Sequence, residues 1–242
     1  MLIRSELRKL TTIRSPWVLL AAGPVLVIAG ITGLVQSGGR LTDPGVTGTA
    51  LAHIGLAAIF PLLAGILAVA GEYRHRTITD TYLGFPDRSR VIAAKLAVYA
   101  LLGAAAGLVT SLAALATTAA WWAAKDVPLE WSGVWLTIGG GVAVNVAFAV
   151  LGVGLGALVR NVIAAVAAAL AWIALIEGIA GQLLGSGLAR WLPFDASAAL
   201  GRSGMATPVR LLPQWAGGLV LLGYAAAFVV AALLTTLRRD VT

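Results

Sequence analysis

The sequence predicts an all-α integral membrane protein with six transmembrane helices in a single domain, residues 1–242. Of the 242 residues, 60% are hydrophobic and 11% are charged. The mean hydropathy of +0.94 is far above that of a soluble domain. A transmembrane helix needs about 20 mainly apolar residues, and the chain holds several such stretches. Twelve of the 17 Lys and Arg residues fall in segments that would share one side of the membrane, which predicts that both termini are cytoplasmic.

The composition excludes several classes of function. The chain has no cysteine and two histidines, so it offers no thiol chemistry and no Cys- or His-rich metal site. The net charge of +7 fits contact with the anionic headgroups of membrane lipids. No basic face with interleaved aromatic residues indicates binding to nucleic acid.

Residues 1–15 predict a short amphipathic helix. Its apolar residues recur at helical spacing on one face: Ile3, Leu7, Leu10 and Ile13. Arg4 and Arg8 lie on other faces. We expect this helix to lie in the membrane interface with its cations toward the lipid headgroups.

Six apolar stretches predict the transmembrane helices: 17–35, 49–70, 95–122, 133–159, 162–184 and 215–237. Pro24 is expected to kink the first or to be absorbed by neighbouring helices. His53, in the second, is interpreted as a hydrogen-bonded histidine of the bundle and not as a ligand. The segment 185–213 predicts short helices that lie in, or dip into, the outer face.

Glycines in the third and fourth stretches predict close helix packing. Gly103 and Gly107 are four residues apart, a spacing that lets two helices approach closely. The fourth stretch carries a cluster at Gly152, Gly154 and Gly156. This cluster is not a dinucleotide fingerprint, because Ala157 replaces the third glycine and the segment is a membrane helix.

The longest charge-dense run lies between the second and third stretches, at residues 71–95. Thr77 and Asp80 have the spacing of a capping box, which predicts a short helix that begins there and ends near Gly84. Pro86 would block its continuation, and Asp87 or Ser89 would cap the next helix. A short helix across the cytoplasmic end of a bundle is a surface that another protein could bind.

The pattern Glu72…Arg76-Thr77…Leu83…Pro86…Arg88-x-Arg90…Ala94-Lys95 resembles the corresponding loop of ABC-2-type exporter permeases. In that family the loop carries a coupling helix that contacts the ATPase subunit. Arg76 is a departure, since a small residue, often glycine, is typical before the threonine. The resemblance implies a set of residues that couple the chain to the ATPase: Glu72, Arg76, Thr77, Asp80, Leu83, Pro86, Arg88 and Arg90. It further implies that residues 1–15 are an elbow helix and that 185–213 holds re-entrant helices.

The resemblance implies the permease subunit of an ATP-driven exporter in the bacterial plasma membrane. Such a subunit moves a hydrophobic or amphiphilic compound, for example a drug, an antibiotic or a lipid-like molecule. Its partners would be a separate ATPase, which binds ATP and Mg, and a second permease copy or paralogue. The chain itself lacks the Walker A, H-E-x-x-H and G-x-S-x-G patterns, so we expect neither bound cofactor nor enzymatic activity.

Glu177 is the ionisable residue placed well within a predicted transmembrane stretch, about 15 residues or 22 Å from its inner end. Because a charge there costs a few kcal/mol, it usually faces a cavity or a partner. Glu177 is therefore a candidate for the translocation pathway or its outer gate. The alternative is a structural carboxyl paired with Gln182, Arg190 or the backbone of 185–213.

Three other interpretations stay open. The loop 71–95 would be a solvated basic surface that faces lipid headgroups and binds no protein. The chain would be an ion-coupled secondary carrier, although that class needs more acidic groups within the membrane. It would otherwise be a non-transporting membrane adaptor or immunity protein.

Overall fold

The computed structural model describes residues 2–38, 40–183, 185–203 and 211–238, and within these ranges the protein is helical without strands. The α-helices run in this order: α1 Leu2–Thr12, α2 Ser15–Gln36, α3 Val46–Leu51, α4 His53–Leu56, α5 Ile59–Arg74, α6 Ile78–Gly84, α7 Arg88–Ala124, α8 Val134–Val159, α9 Val162–Ala171, α10 Glu177–Leu183, α11 Gly185–Ala189, α12 Pro193–Leu200 and α13 Gln214–Arg238.

Five helical segments of the described chain are long and apolar enough to cross a membrane: Ser15–Gln36, Val46–Arg74, Arg88–Ala124, Val134–Val159 and Gln214–Thr235. The protein is therefore a multi-pass membrane protein by the length and composition of its helices. Pro24 lies inside α2 and does not end it. The third predicted stretch begins earlier than expected, since α7 starts at Arg88 and places Lys95 two turns inside the helix.

The second membrane segment is broken near its start into α3, α4 and α5. At the breaks, backbone hydrogen bonds span three residues instead of four, as in Ala58 N–H to Gly55 O at 3.1 Å. The carbonyl of Ile54 therefore loses its usual helical partner, the N–H of Ala58. Asn145 of α8, fully buried, donates from Nδ2 to Ile54 O at 3.1 Å. The side chain thus satisfies a backbone group that has no water to bind within the bundle.

The fifth predicted stretch, 162–184, differs most from a regular helix. It consists of α9, a π-helical turn at Trp172–Ile176, and α10, so it does not form one long α-helix. The π-helical turn adds a residue to the helical repeat, which rotates the side chains that follow it. Here it brings the indole of Trp172 against the carboxylate of Glu177.

Glycines allow α8 to pack against α5 and α7 with their backbones in contact. A Cβ atom on Gly152 would collide with the Leu62 carbonyl oxygen of α5, and one on Gly156 would lie 2.7 Å from Ile66 O. On α7, a Cβ at Gly103 would lie 2.7 Å from Asn145 O. The close packing expected from both sets of glycines is confirmed.

Contacts between distant segments define the two ends of the bundle. At the end that carries α6, Lys9 and Lys95 both contact Glu72, and Arg160 donates to Thr235 O at 3.3 Å. At the opposite end, Gly45 N–H donates to Glu130 at 3.0 Å, and Gln214 donates to Leu136 O at 2.8 Å. The basic segments expected on the cytoplasmic side therefore meet at the α6 end.

Candidate functional site

The helix α6 connects the carboxyl end of α5 to the amino end of α7, and most of its residues are at least partly exposed. Ile78 is 2% exposed and attaches it to the bundle, whereas Leu83 is 77% exposed. The other exposed members of the predicted coupling set are Arg76, Thr77, Asp80, Pro86 and Arg90. A short helix ending near Gly84 was expected from the sequence and is confirmed. Its exposed leucine is the kind of apolar side chain that a protein partner could cover.

The expected capping box is absent. Thr77 has helical backbone angles, φ −85° and ψ −8°, and its side chain makes no capping hydrogen bond. Its N–H donates to Glu72 O at 3.0 Å, while Arg76 N–H donates to Tyr73 O at 3.3 Å. These two bonds form a Schellman motif that closes the carboxyl end of α5. The predicted capping box of Thr77 and Asp80 is wrong, because the backbone N–H of Thr77, which Asp80 would accept from, already donates to Glu72 O.

Arg76 occupies the left-handed position of this motif, with φ at +58°. This position is usually glycine, because a Cβ there crowds the following carbonyl and costs roughly 1–2 kcal/mol. Arg76, which differs from the glycine often found at this place in the ABC-2-type loop, therefore occupies a position whose backbone conformation favours glycine.

Arg76→Gly is expected to raise the free energy of unfolding by about 0.5–1 kcal/mol. Glycine removes the steric cost of the left-handed backbone at this position, and this gain exceeds the conformational entropy that glycine adds to the unfolded chain. Arg74→Gly is the matched control within α5, and glycine there should lower stability by about 0.5–1 kcal/mol. Thermal unfolding of both variants in the same detergent measures the difference. Equal losses of stability would contradict the role given to the left-handed turn.

Asp87 caps α7, as the sequence suggested. Its side chain accepts hydrogen bonds from the N–H groups of Ser89 and Arg90, at 3.1 and 3.2 Å. The hydrogen bond from the Ser89 hydroxyl, followed by that from Arg90 N–H, holds the pKa of Asp87 below its usual value. Arg90 Nε also lies 3.0 Å from Asp87 Oδ2 on the surface.

Two arginines stack on tyrosines beside α6. The guanidinium of Arg88 lies 5.2 Å from the ring centre of Tyr82, and that of Arg160 lies 5.4 Å from Tyr73. Burial raises the pKa of Tyr82, and its hydrogen bond with Tyr73 acts in the same direction. Arg88 thus joins α7 to α6, and Arg160, in the turn between α8 and α9, contacts α5. Arg160 has a φ of +57°. The tight turn predicted at 160–161 is thereby confirmed.

A cluster of four charged side chains lies beneath α6: Glu6, Lys9, Glu72 and Lys95. Lys95 Nζ lies 2.9 Å from Glu6 and 2.7 Å from Glu72, and Lys9 Nζ lies 2.8 Å from Glu6 and 2.6 Å from Glu72. We call this ring the four-charge cluster. It is electrically neutral, and it ties α1, α5 and α7 together. The exposed fractions of the Lys95 and Glu6 side chains are 1% and 2%, so both charges are removed from water.

The cluster changes the interpretation of Glu72 and of α1. Glu72, which the resemblance includes in the coupling set, contacts Lys9 and Lys95 inside the chain through one carboxylate oxygen, Oε1. The face of α1 that packs on the bundle carries Glu6 and Leu10, whereas the apolar Ile3 and Leu7 stay exposed. The ammonium of Lys9 faces Glu6 and Glu72 and not the lipid headgroups. Burial lowers its pKa, but hydrogen bonds to Glu6 and Glu72 outweigh this and leave the pKa raised.

The contact between Glu6 and Lys95 was not expected from the sequence. The signal available was weak: an acidic and a basic residue three apart in α1, and one of each flanking the loop 71–95. Nothing in their spacing shows that the two pairs meet. Lys9 also lies 3.4 Å from Thr81 Oγ1, so the cluster touches α6 directly.

Glu177 lies at a second candidate site, away from α6. Its carboxylate accepts from Trp172 Nε1 at 2.7 Å and from Phe194 N–H at 2.8 Å. Phe194 is in the first turn of α12, whose preceding residue Leu192 supplies no side-chain cap, so Glu177 takes over that function. The backbone partner foreseen in the structural alternative is present. Glu177 also lines an apolar cavity of about 120 Å³, so its location equally fits the pathway alternative.

The structure offers no metal centre among its described residues, where no three His, Asp or Glu side chains gather. His53 Nδ1 lies 3.0 Å from Ala50 O, so this histidine has a backbone partner, as expected. The short helices expected at 185–213 are present as α11 and α12, and α12 is largely buried.

Comparison with models of known protein families gave no match, and comparison with curated proteins gave none either. A functional interpretation of this chain therefore depends on its own residues and geometry.

Proposed function

We propose that the chain is the permease subunit of an ATP-driven exporter of the ABC-2 type. In this proposal α6 is the coupling helix, and a separate ATPase that binds ATP and Mg docks on it. The compound moved is hydrophobic or amphiphilic. The proposal places the chain in the bacterial plasma membrane with both termini in the cytoplasm.

The observation that carries the proposal is the position of α6. The helix is exposed, it joins two membrane segments, and it rests on the four-charge cluster and on Ile78. A force on α6 would therefore reach α1, α5 and α7 together. A flexible loop would lose such a force, because it has no rigid contact with the bundle. The exposed Leu83 and Asp80 are the residues that we assign to the ATPase contact, together with Arg76, Thr77, Pro86 and Arg90.

We further propose that residues 162–184 form a sixth membrane span. The segment Val162–Leu183 is helical throughout and about 30 Å long at 1.5 Å per residue, which matches the hydrocarbon core. Arg160 lies at the α6 end and Gln214 at the opposite end, which supports a crossing between them. Residues 1–15 would act as the elbow helix and α11 and α12 as re-entrant helices.

A second permease copy, or a paralogue, completes the proposed pathway. The outermost helices support this, since α2 and α13 keep most of their apolar surface exposed. Such surfaces contact either lipid or another helix bundle.

The test is purification of the tagged chain from its native membrane, followed by identification of the proteins that accompany it. We expect a protein with a Walker A sequence to co-purify and to hydrolyse ATP. Leu83→Ala and Asp80→Lys should each reduce this co-purification at least fivefold, because they remove an apolar contact and reverse a charge. Both variants should insert and purify normally, since their side chains are exposed.

Leu188→Ala is the matched control, because Leu188 is also an exposed leucine on a short helix, at 60% exposure. It should leave co-purification unchanged. If no ATPase accompanies the wild-type chain, and an ion gradient alone drives transport in vesicles, the chain is a secondary carrier. If an ATPase co-purifies equally with all three variants, α6 is not its docking site.

A further inference from the structure

The cavity beside Glu177 is partly open and is lined by aromatic side chains on several helices. It has a volume of about 120 Å³ and lies among α8, the π-helical turn, α12 and α13. Its aromatic lining residues are Phe148, Trp172, Phe194, Tyr224 and Phe228. The remaining lining, apart from Glu177, is aliphatic. A site with this lining excludes strongly hydrated groups and favours apolar ones.

Glu177 is the ionisable residue in the lining of this cavity. The residue is 7% exposed, and its hydrogen-bond donors, the indole of Trp172 and the N–H of Phe194, are both neutral. None of the ion pairs in the described ranges involves Glu177. A second carboxylate, on Asp195, is also 7% exposed and lies near enough for the two charges to interact. Among the described residues, the buried carboxyl group of Glu177 therefore has no cationic partner.

The ionised form of such a carboxyl costs free energy unless a counter-charge reaches it, so a bound cation would favour the ionised form. A cation that enters the cavity would meet the carboxylate at one wall and the negative faces of aromatic rings at the others. Cation–π contacts of this kind add attraction, and they are stronger where water is excluded. An inorganic cation would forfeit its hydration shell in an apolar cavity, whereas an organic ammonium brings an apolar body that the lining can cover.

We infer that the cavity lined by Glu177, Trp172, Phe194 and Tyr224 binds a small organic ammonium cation. The inference rests on the proposed function, because it names the chemical class within the hydrophobic or amphiphilic compounds that the exporter would move. A protein cavity of about 150 Å³ holds benzene. This cavity, at about 120 Å³, is somewhat smaller but partly open, so it can receive one aromatic ring or a short branched alkyl group that extends through the opening, with the ammonium directed to Glu177.

The test measures equilibrium binding of radiolabelled benzylammonium to the purified protein in phosphatidylcholine nanodiscs, without ATP or ATPase. Ethylbenzene, which has a methyl group in place of the ammonium, is the neutral ligand of the same shape. We expect saturable binding of benzylammonium to the wild-type protein. Glu177→Gln should weaken it at least tenfold, while ethylbenzene should bind both proteins equally. Glutamine keeps an acceptor oxygen for Phe194 N–H, so the start of α12 is preserved.

Two further variants separate the contributions. Tyr224→Leu should weaken benzylammonium binding about threefold, in the range of one cation–π contact, with ethylbenzene unaffected. Glu130→Gln, which removes an exposed carboxylate outside the cavity, should change neither ligand. Equal binding of benzylammonium to wild type and Glu177→Gln, or no binding at all, would overturn the inference. An equal loss for ethylbenzene would also overturn it, because the cavity itself would then have collapsed.

These outcomes are independent of the ATPase experiment. An ATPase that docks on α6 while Glu177 binds no ammonium would leave the exporter proposal intact and exclude this class of ligand. Ammonium binding without any ATPase would keep the site and remove the exporter.

Discussion

Lys95→Met is expected to lower the free energy of unfolding by about 3–5 kcal/mol, because it leaves two carboxylates facing each other with one remaining cation. Glu6 is 2% exposed and Glu72 is 11% exposed, so water relieves little of the uncompensated charge. The Ala68 carbonyl also loses a donor at 3.1 Å. Methionine fills most of the volume of the lysine side chain, so the loss reports charge and hydrogen bonding more than packing. Thermal unfolding in detergent measures the effect.

The double variant Glu6→Gln/Lys95→Met restores the balance of one carboxylate and one ammonium, Glu72 with Lys9. We expect it to recover about half of the lost stability, since groups in one network are not additive. Arg90→Met is the surface control, because the Arg90 side chain is 79% exposed and water screens its pairing with Asp87, which should therefore contribute little to stability. Equal effects of Lys95→Met and Arg90→Met would show that the four-charge cluster does not hold α1, α5 and α7 together.

Gly152→Val is expected to destabilise the protein by about 3 kcal/mol or more, enough to abolish a monodisperse preparation. Its Cβ would collide with the Leu62 carbonyl oxygen and lie 3.1 Å from Gly65 Cα, both of which are backbone atoms of α5. Backbone atoms do not yield by changing a rotamer, so α5 and α8 must separate. The separation would break the most extensive helix–helix contact among the described residues, and with it the packing of Gly65 and Gly156.

Gly139→Val is the control on the same helix, because nothing lies within 4 Å of a Cβ at Gly139. Its effect should stay below about 1 kcal/mol, since valine and glycine differ little in helix propensity. Size-exclusion profiles and thermal unfolding of both variants supply the comparison. A Gly152→Val protein as stable as Gly139→Val would mean that α5 and α8 are farther apart than the structure places them.

The helical membrane architecture could be predicted from the sequence because it depends on local composition. About 20 apolar residues form a helix in lipid wherever they occur, since the backbone has no other partner there. This holds for α2, α7, α8 and α13. It holds less well for 162–184, because the apolar pattern of this segment does not predict the π-helical turn at Trp172–Ile176.

The loop 71–95 shows where local signals stop being sufficient. The helix α6, its end near Gly84 and the cap by Asp87 follow from residues that are neighbours in sequence. The Thr77–Asp80 capping box does not form, because the Schellman motif of α5 already uses the N–H of Thr77. Two local motifs compete for one donor, and the longer helix already holds it.

The sequence by itself determined which segments are helical, which polar segments lie at the ends of the membrane-spanning helices, and where glycines allow close helix packing. Only the tertiary structure decided that Glu6, Lys9, Glu72 and Lys95 form one neutral ring, and that Glu177 caps α12 beside an aromatic cavity. The physical reason is the range of the interactions involved. Helix formation in an apolar solvent is set within about 20 residues of sequence. A buried charge is satisfied by whichever partner the packing brings near, and Glu6 and Lys95 stand 89 residues apart.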